Sequence, residues 1–264
     1  MHAPGPGIYK NSLGIGVQIR QNVVISSLAF LGAYVVALAP EAFDRPLTRL
    51  INSFANRSAL FDGLVASLNA AYSFSGVVLM ALIWSCWFDT KDSERRARIL
   101  IGTLGAIAAG GVSRFLQHAL STHPRPIHDP ALAFQVPSGI QPLYNTWNSF
   151  PSDHVTVFAG LALVIYIARS RFAVFAIVWT MVVETSRIYM GGHYPSDLVG
   201  AAALGAIVVW ATQEPLLISW GNRLVMKWER SSPSLFIVVA FFLSYQIATL
   251  FLDIRYTLGS LRIW

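Results

Sequence analysis

The chain has 264 residues, of which 55% are hydrophobic and only 12% are charged, with a mean hydropathy of +0.54. An average soluble domain carries about 25% charged residues, so this composition excludes a disordered protein, an ordinary cytosolic enzyme and a nucleic-acid-binding module. The net charge of +6 does not by itself indicate a polyanionic partner, because Lys and Arg accumulate in the loops of membrane proteins. We expect a polytopic membrane protein with a single domain over residues 1–264.

Long apolar runs predict an all-α integral membrane bundle of six or seven transmembrane helices. A bilayer core about 30 Å thick requires about 20 apolar residues per helix. The shorter, mixed segment Asn56–Asn69 predicts an amphipathic helix at the membrane interface. The predicted spans are Asn22–Phe43, Ala70–Phe88, Ile99–Leu120, His154–Ala168, Phe172–Met190, Ser196–Gln213 and, as the weakest of the seven, Ser234–Leu252.

The first predicted span has an alternative interpretation as a secretory signal peptide. Ala37-Leu38-Ala39 resembles a small-residue cleavage site. The apolar run is long for the core of a signal peptide, and Pro40 follows the site of the cut. These two features favour a retained membrane helix.

The distribution of Lys and Arg predicts the orientation of the chain in the membrane. With the N-terminus inside, cytoplasmic segments hold eleven of these residues and external segments hold seven, with Arg114 inside a span. Positive charge is enriched on the cytoplasmic side. This bias favours an internal N-terminus and an external position for the connections after the third and fifth spans. A bacterial inner membrane is the expected location, from the compactness of the chain and this orientation.

Polar residues are concentrated in those two external connections. Four of the six histidines, including His118, His123 and His154, lie from the end of the third span to the start of the fourth, and His193 follows the fifth. A charge inside hydrocarbon costs about 2.5–3.5 kcal/mol on insertion scales, so residues at helix ends require water, partners or ligands. Two separate loops that bring His, Arg and Asp to one face predict a site for chemistry.

The connection after the fifth span carries His193 and Asp197 four residues apart, at the start of a helix. This spacing places both side chains on one face, where a carboxylate orients the imidazole and leaves its other nitrogen free as a nucleophile. Arg187 offers a planar bidentate donor for phosphate oxygens. Glu184, three residues earlier, is interpreted as a structural partner that aims this guanidinium.

The connection before the fourth span contains two further candidate elements. In Pro151-Ser152-Asp153-His154, the backbone N–H groups at the helix start bind anions, and the Ser152 hydroxyl adds a donor. His154 is positioned to protonate a leaving oxygen. The prolines on either side of Arg125 stiffen the backbone and hold its guanidinium in place.

Together these residues resemble the type 2 phosphatidic acid phosphatase superfamily, whose pattern is KxxxxxxRP, then PSGH, then SRxxxxxHxxxD. The third part matches fully, from Ser186-Arg187 through His193 to Asp197. The second part reads PSDH, and the first retains Arg125-Pro126 but has His118 at the lysine position. The resemblance covers Ile99–Gln213 well, and the two ends only by hydropathy.

The resemblance implies a mechanism and a role for each matching residue. His193 attacks phosphorus and forms a phospho-histidine, oriented by Asp197, while His154 donates a proton to the leaving group and then activates water. The implied phosphate-binding residues are Arg125, Arg187, Ser152, Asp153 with its neighbouring main-chain N–H groups, and His118. The family requires neither a metal nor another cofactor, because cationic side chains supply the electrostatic stabilisation.

Two departures from the family pattern affect the predicted phosphate site. His118 is a weaker cation than lysine near pH 7, and Arg114, one turn earlier, offers a replacement. Asp153 adds negative charge beside a phosphate dianion unless its carboxylate points away, for example as a helix cap.

Structural interpretations remain open beside the functional ones. Ser152 and Asp153 are suited to cap the fourth span, and His193 with Asp197 is suited to a structural polar pair. His118 is equally suited to helix packing and to phosphate binding. A metal cluster of His123, His128 and Asp129 is not favoured, because their Pro-rich loop is predicted to be solvated.

We therefore expect a phosphatase of a membrane lipid phosphate or diphosphate, with a polyprenyl diphosphate such as undecaprenyl diphosphate favoured. Phosphatidylglycerol phosphate, phosphatidate and lipid A phosphate are alternatives, and the loop Ile127–Asn148 is the expected determinant of head-group choice. Two other functions stay open: a lipid phosphotransferase with a different acceptor, and a non-catalytic transporter or channel. The expected partners are the lipid substrate and membrane lipids; the sequence leaves the oligomeric state open.

Overall fold

A computed structural model describes residues 6–120, 122–138 and 148–260, and these residues form helices and connecting loops without a β-strand. A π-helical turn spans Ser73–Val77, and a 3₁₀ turn spans Pro126–His128. The α-helices are α1 Pro6–Leu38, α2 Asp44–Asn52, α3 Ala59–Ala70, α4 Val78–Asp89, α5 Ser93–Ala119, α6 Asp153–Ile167, α7 Ala173–Tyr189, α8 Pro195–Ala211, α9 Pro215–Ser231, α10 Pro233–Ala248 and α11 Leu252–Ser260.

The centre of the bundle is α6, which contacts α4, α5, α7 and α8. Its residues Phe158, Leu161 and Ile165 are fully buried, as expected of a helix that is apolar around its circumference. Small residues allow close approach of the neighbouring helices. A Cβ atom at Gly205 of α8 would lie 2.5 Å from the carbonyl oxygen of Thr156 in α6. Such close approach is typical of small residues at helix contacts in membrane proteins.

The structure does not confirm the predicted number of six or seven membrane spans. Two helical segments, Gly14–Leu38 and Ser93–Ala119, are long and apolar enough to cross a membrane. The count among the described residues rises to four if each of two bent pairs forms one span, namely Ala59–Ala70 with Ser73–Asp89 and Pro195–Ala211 with Pro215–Ser231. The other three predicted spans correspond to shorter helices, namely α6 with 15 residues, α7 with 17 and α10 with 16.

The segment predicted to be an interfacial amphipathic helix does form a helix, α3. Ser58 caps it by accepting a hydrogen bond from the backbone N–H of Phe61. Leu60 and Leu64 are exposed, whereas Asp62 is fully buried and accepts a hydrogen bond from the Tyr189 hydroxyl. The apolar side chains therefore face outward and the carboxylate faces the bundle.

The two ends of the chain contain more helix than the sequence analysis predicted. α1 begins at Pro6 rather than Asn22 and packs along α8, with Ala33 and Ala37 against Phe150. A segment assigned to a cytoplasmic connection is instead α9, which packs against α5. Its charged residues include Arg223 and Arg230, and this polar composition concealed the helix from a search for apolar runs.

Replacement of Gly205 tests the close packing of α8 on α6. We expect Gly205→Ala to lower the free energy of unfolding by about 1–3 kcal/mol, because the added methyl group meets a backbone oxygen that cannot rotate away. Gly32→Ala is the matched control, since its Cβ meets nothing within 4 Å. Thermal unfolding in detergent measures both variants, and equal midpoints for the two would contradict this packing.

Candidate active site

The polar residues of the two predicted external connections come together at one end of the bundle. This is the end at which α5 and α7 finish and α6 and α8 begin. Arg125, Ser152, Arg187, His193 and Asp197 are all buried there. The two loops therefore build one site, as the sequence predicts.

His193 lies in the tight connection between α7 and α8. Gly191 at the start of this connection has a φ of +75°, a conformation that glycine adopts without the penalty of a Cβ atom. The Nδ1 atom of His193 lies 3.0 Å from the carbonyl oxygen of Ser149 and 3.4 Å from Oδ2 of Asp197. Both neighbours are acceptors, so Nδ1 carries the proton and Nε2 keeps its lone pair.

The lone pair of His193 faces a cation. Nε2 lies 3.3 Å from Nη1 of Arg125, which also donates a hydrogen bond to the carbonyl oxygen of Gly192. Burial lowers the pKa of His193, Asp197 partly offsets this effect, and the positive charge of Arg125 lowers the pKa further. The net lowering keeps the imidazole neutral near pH 7, the form that a nucleophile requires.

Asp197 is fully buried and connects two histidines. Its Oδ2 accepts a hydrogen bond from the backbone N–H of Tyr194 in a capping box at the start of α8. Its Oδ1 lies 3.6 Å from Nε2 of His123, and the same nitrogen lies 3.8 Å from Oδ2 of Asp44. His123 thus stands between two buried carboxylates, which corrects the expectation that its loop is solvated.

The three residues considered as a metal cluster have different surroundings. Asp129 is also buried, with Arg45 Nε at 2.8 Å and the Tyr194 hydroxyl at 2.6 Å, whereas His128 is exposed. Burial raises the pKa of Asp129, but the hydrogen bonds from Arg45 and Tyr194 outweigh it and the net pKa is lowered. Within the described ranges, no group of three or more His, Cys, Asp or Glu side chains is arranged to hold a metal ion.

Two buried guanidinium groups add positive charge to the site. Arg125 follows the end of α5, and Arg187 lies in the last turn of α7. Arg187 Nε donates a hydrogen bond of 2.5 Å to Oε2 of Glu184. The interpretation of Glu184 as the partner that aims this guanidinium is confirmed.

The start of α6 supplies a hydroxyl group and a second imidazole. Ser152 is fully buried, its side chain does not cap the helix, and its Oγ has no hydrogen-bond partner among the described residues. Asp153 Oδ1 lies 2.9 Å from Nδ1 of His154 and accepts the backbone N–H of the same residue. Asp153 Oδ2 lies 3.6 Å from Nη1 of Arg114. The Asp153 carboxylate is therefore directed at His154 and Arg114, so any phosphate contact from this residue is through its main chain.

Near the end of α5, Arg114 lies beside Asp153 at the start of α6. His118, the residue at the lysine position of the family pattern, is exposed. The neighbouring Gln117 is buried and donates a hydrogen bond of 2.7 Å to the carbonyl oxygen of Pro151, as Ser113 does at 3.0 Å. These two hydrogen bonds hold the backbone of Pro151, the residue that precedes Ser152, against α5.

Sequence reasoning missed three contributors to the site: Asp44, Ser149 and the burial of His123. Asp44 accepts hydrogen bonds from the backbone N–H and the hydroxyl of Ser196, at 2.9 and 2.5 Å. The sequence does contain one indication of this role, because Asp44 directly follows a long apolar run. A carboxylate needs a partner when it is buried. Part of the loop Ile127–Asn148, the expected head-group determinant, lies outside the described residues at positions 139–147.

The amino-acid sequence of this chain is similar to those of a known protein family. The family model described as the PAP2 superfamily matches residues 103–215. The decaprenylphosphoryl-5-phosphoribose phosphatase of Mycobacterium tuberculosis is 31% identical over 154 residues, which cover 58% of this chain and 81% of that protein. The undecaprenyl-diphosphatase BcrC of Bacillus subtilis is 20% identical over 160 residues, 61% of this chain and 77% of that protein. The lipid A 4'-phosphatase of Bacteroides thetaiotaomicron is 38% identical over 63 residues, 23% of this chain and 28% of that protein. No solved structure matches this chain.

The ion pair between Arg45 and Asp129 predicts a pH-dependent stability. The lowered pKa of Asp129 contributes stability above the ordinary carboxyl pKa of about 3.9, and this contribution is lost as the pH falls through the lower folded value. We expect Arg45→Gln to destabilise the protein by about 1–3 kcal/mol at pH 7. Thermal unfolding in detergent should show the difference from wild type narrowing below about pH 4; a difference that stays constant would contradict the assignment.

Proposed function

Since the chain belongs to the PAP2 superfamily, and is therefore a lipid phosphatase, we propose that it hydrolyses a polyprenyl diphosphate through a phospho-histidine intermediate at His193. One observation carries this proposal: Nδ1 of His193 faces two acceptors, and its Nε2 lone pair is directed at a cationic pocket. This is the arrangement that in-line attack on a phosphorus atom requires.

The first chemical step transfers the terminal phosphoryl group to the protein. Nε2 of His193 forms the P–N bond as the P–O bond to the lipid leaving group breaks. The imidazolium of His154 gives its Nε2 proton to the leaving oxygen. The Asp153 carboxylate, 2.9 Å from Nδ1 of His154, stabilises the protonated imidazole before this transfer.

The second step returns the protein to its starting state. Neutral His154 takes a proton from water, the resulting hydroxide oxygen bonds to phosphorus, and the P–N bond to His193 breaks. Inorganic phosphate leaves, and His154 again carries the proton that it delivers in the next cycle. Asp197 stabilises the positive charge that His193 acquires while it carries the phosphoryl group.

The buried cations and the start of α6 bind the three non-bridging phosphoryl oxygens. Arg125 and Arg187 supply guanidinium donors, and the unpartnered Ser152 hydroxyl and the first backbone N–H groups of α6 supply neutral ones. Donors that are already fixed in place stabilise the charge of the transition state without reorganisation. Arg114 takes the place of the family lysine, because it lies by Asp153 whereas His118 is exposed.

A lipid anhydride is the substrate that the relatives and the position of the site support best. Two of the relatives carry polyprenyl substrates in their names, and one of these is a diphosphatase. A site at the end of a membrane bundle admits a head group while the tail stays in the bilayer. The excess of Lys and Arg in the segments on the opposite side supports an external active site in a bacterial inner membrane.

Phosphate release by the detergent-purified protein tests this function. The substrates are a polyprenyl diphosphate, phosphatidylglycerol phosphate, phosphatidate and a lipid A phosphate, each in the presence of EDTA. We expect the highest kcat/KM with the diphosphate, and a loss of at least about a thousandfold in His193→Ala, because the nucleophile is removed. Arg57→Gln, at an exposed arginine outside the site, is the control variant and should retain wild-type activity.

Three results would contradict the proposal. Undiminished phosphate release by His193→Ala would exclude this nucleophile. Transfer of label to an added lipid or sugar acceptor, with little free phosphate, would identify a phosphotransferase. Solute transport that persists in His193→Ala, with no phosphate release by the wild type, would identify a transporter.

A further inference from the structure

A cavity of about 240 Å³ opens beside the first turn of α6. Gly110 and Gly111 of α5 and Val157 of α6 form one wall. Leu250, Phe251 and Arg255, from the segment where α10 passes into α11, form the opposite wall. We call this space the C-terminal cavity, since one of its walls lies beyond residues 103–215 that match the family.

The C-terminal cavity adjoins the active site at Asp153. Asp153 lines it, and the carboxylate of Asp153 holds the imidazole of His154 at 2.9 Å. In the proposed reaction His154 protonates the leaving oxygen. The cavity therefore lies one side chain away from the imidazole that protonates the leaving oxygen.

Most of the cavity wall is apolar or lacks a side chain. A Cβ atom at Gly111 would meet nothing within 4 Å, so this glycine leaves open space. Leu250 and Phe251 have φ values of +50° and +56°, a left-handed conformation that costs about 1–2 kcal/mol per non-glycine residue. This backbone turns the chain between α10 and α11 and brings both side chains to the cavity. Such a surface suits a hydrocarbon chain.

Arg255 is the single cation among the residues that line the cavity. Its Nε is buried and has no hydrogen-bond partner among the described residues. A buried guanidinium N–H without an acceptor costs free energy, and phosphate oxygens are acceptors that match the geometry of a guanidinium. The second phosphate of a lipid diphosphate would lie on this side, between the transferred phosphoryl group and the hydrocarbon chain.

We propose that the C-terminal cavity binds the leaving half of a lipid diphosphate, with its phosphate at Arg255 and the first carbons of its chain between Gly111 and Phe251. The inference rests on the function proposed above and deepens it. In this proposal Arg255 selects diphosphates over monophosphates, and Gly111 leaves space for the hydrocarbon chain of the lipid.

The first test fills the cavity in the full-length, detergent-purified protein. Gly111→Leu should lower kcat/KM for a C15 prenyl diphosphate by about tenfold or more, equivalent to about 1.4 kcal/mol, because the new side chain occupies the space of the lipid. Hydrolysis of acetyl phosphate, which has no long chain, should stay within about twofold of wild type. Gly32→Leu is the control, since it also has open space at Cβ but lies on α1.

The second test removes the charge at the cavity. Arg255→Gln should lower kcat/KM for the C15 diphosphate by about tenfold or more, the effect of one lost charge-assisted hydrogen bond. The rate with the C15 monophosphate should stay within about twofold of wild type, and Arg57→Gln, at an exposed arginine, should change neither rate.

The outcomes separate this inference from the proposed function. Equal losses on both C15 substrates in Arg255→Gln, or unchanged diphosphate hydrolysis in either cavity variant, would overturn the inference while the wild type remains active. A wild-type protein that releases no phosphate from any of these compounds would overturn the proposed function and the inference with it.

Discussion

The carboxylate of Asp197 sets the geometry on which the rest of the site depends. It is fully buried, caps α8 through the backbone N–H of Tyr194 at 2.7 Å and lies 3.4 Å from Nδ1 of His193. Because one oxygen fixes both the helix start and the imidazole, the position of His193 follows from the packing of α8. Loss of this carboxylate would disturb the helix and the nucleophile together.

Around Asp197 the bundle places buried and half-buried charges of opposite sign side by side. His123 lies between Asp197 and Asp44, Arg187 pairs with Glu184, and Asp153 lies between His154 and Arg114. A buried charge is costly unless it is paired, and the cations and imidazoles of these three groups each have a nearby carboxylate. This arrangement leaves the guanidinium groups fixed in place before any phosphate arrives, which is the preorganisation that phosphoryl transfer requires.

The motifs, and the face at which they meet, could be predicted from the sequence because the relevant spacings are local. His193 and Asp197 are one helical turn apart, as are Glu184 and Arg187. Arg125 and the Ser152-Asp153-His154 string border the same predicted external connection. Helix ends that point in one direction in a bundle bring such strings together, and the structure confirms this convergence.

Other parts of the site could not be predicted, because they depend on contacts between distant segments. Asp44 reaches His123 and Ser196 from a short helix near the N-terminus, and no periodicity or spacing encodes that contact. The Pro-rich composition alone suggested that the loop of His123 and Asp129 is solvated. In the structure both side chains are buried, and each contacts charged or polar residues from distant segments. The wall of the C-terminal cavity depends on the left-handed backbone at Leu250 and Phe251, which carries no sequence signature.

The most direct test of the account is to trap the phosphorylated protein during a single turnover of a terminally ³²P-labelled prenyl diphosphate. We expect a covalent protein phosphate that is labile in acid and stable in alkali and that maps to His193 by peptide mass spectrometry. It should accumulate in His154→Ala when water attack becomes slower than phosphoryl transfer. Label on a different residue, or rapid turnover without any covalent phosphate under conditions that resolve the first step, would contradict His193 as the nucleophile.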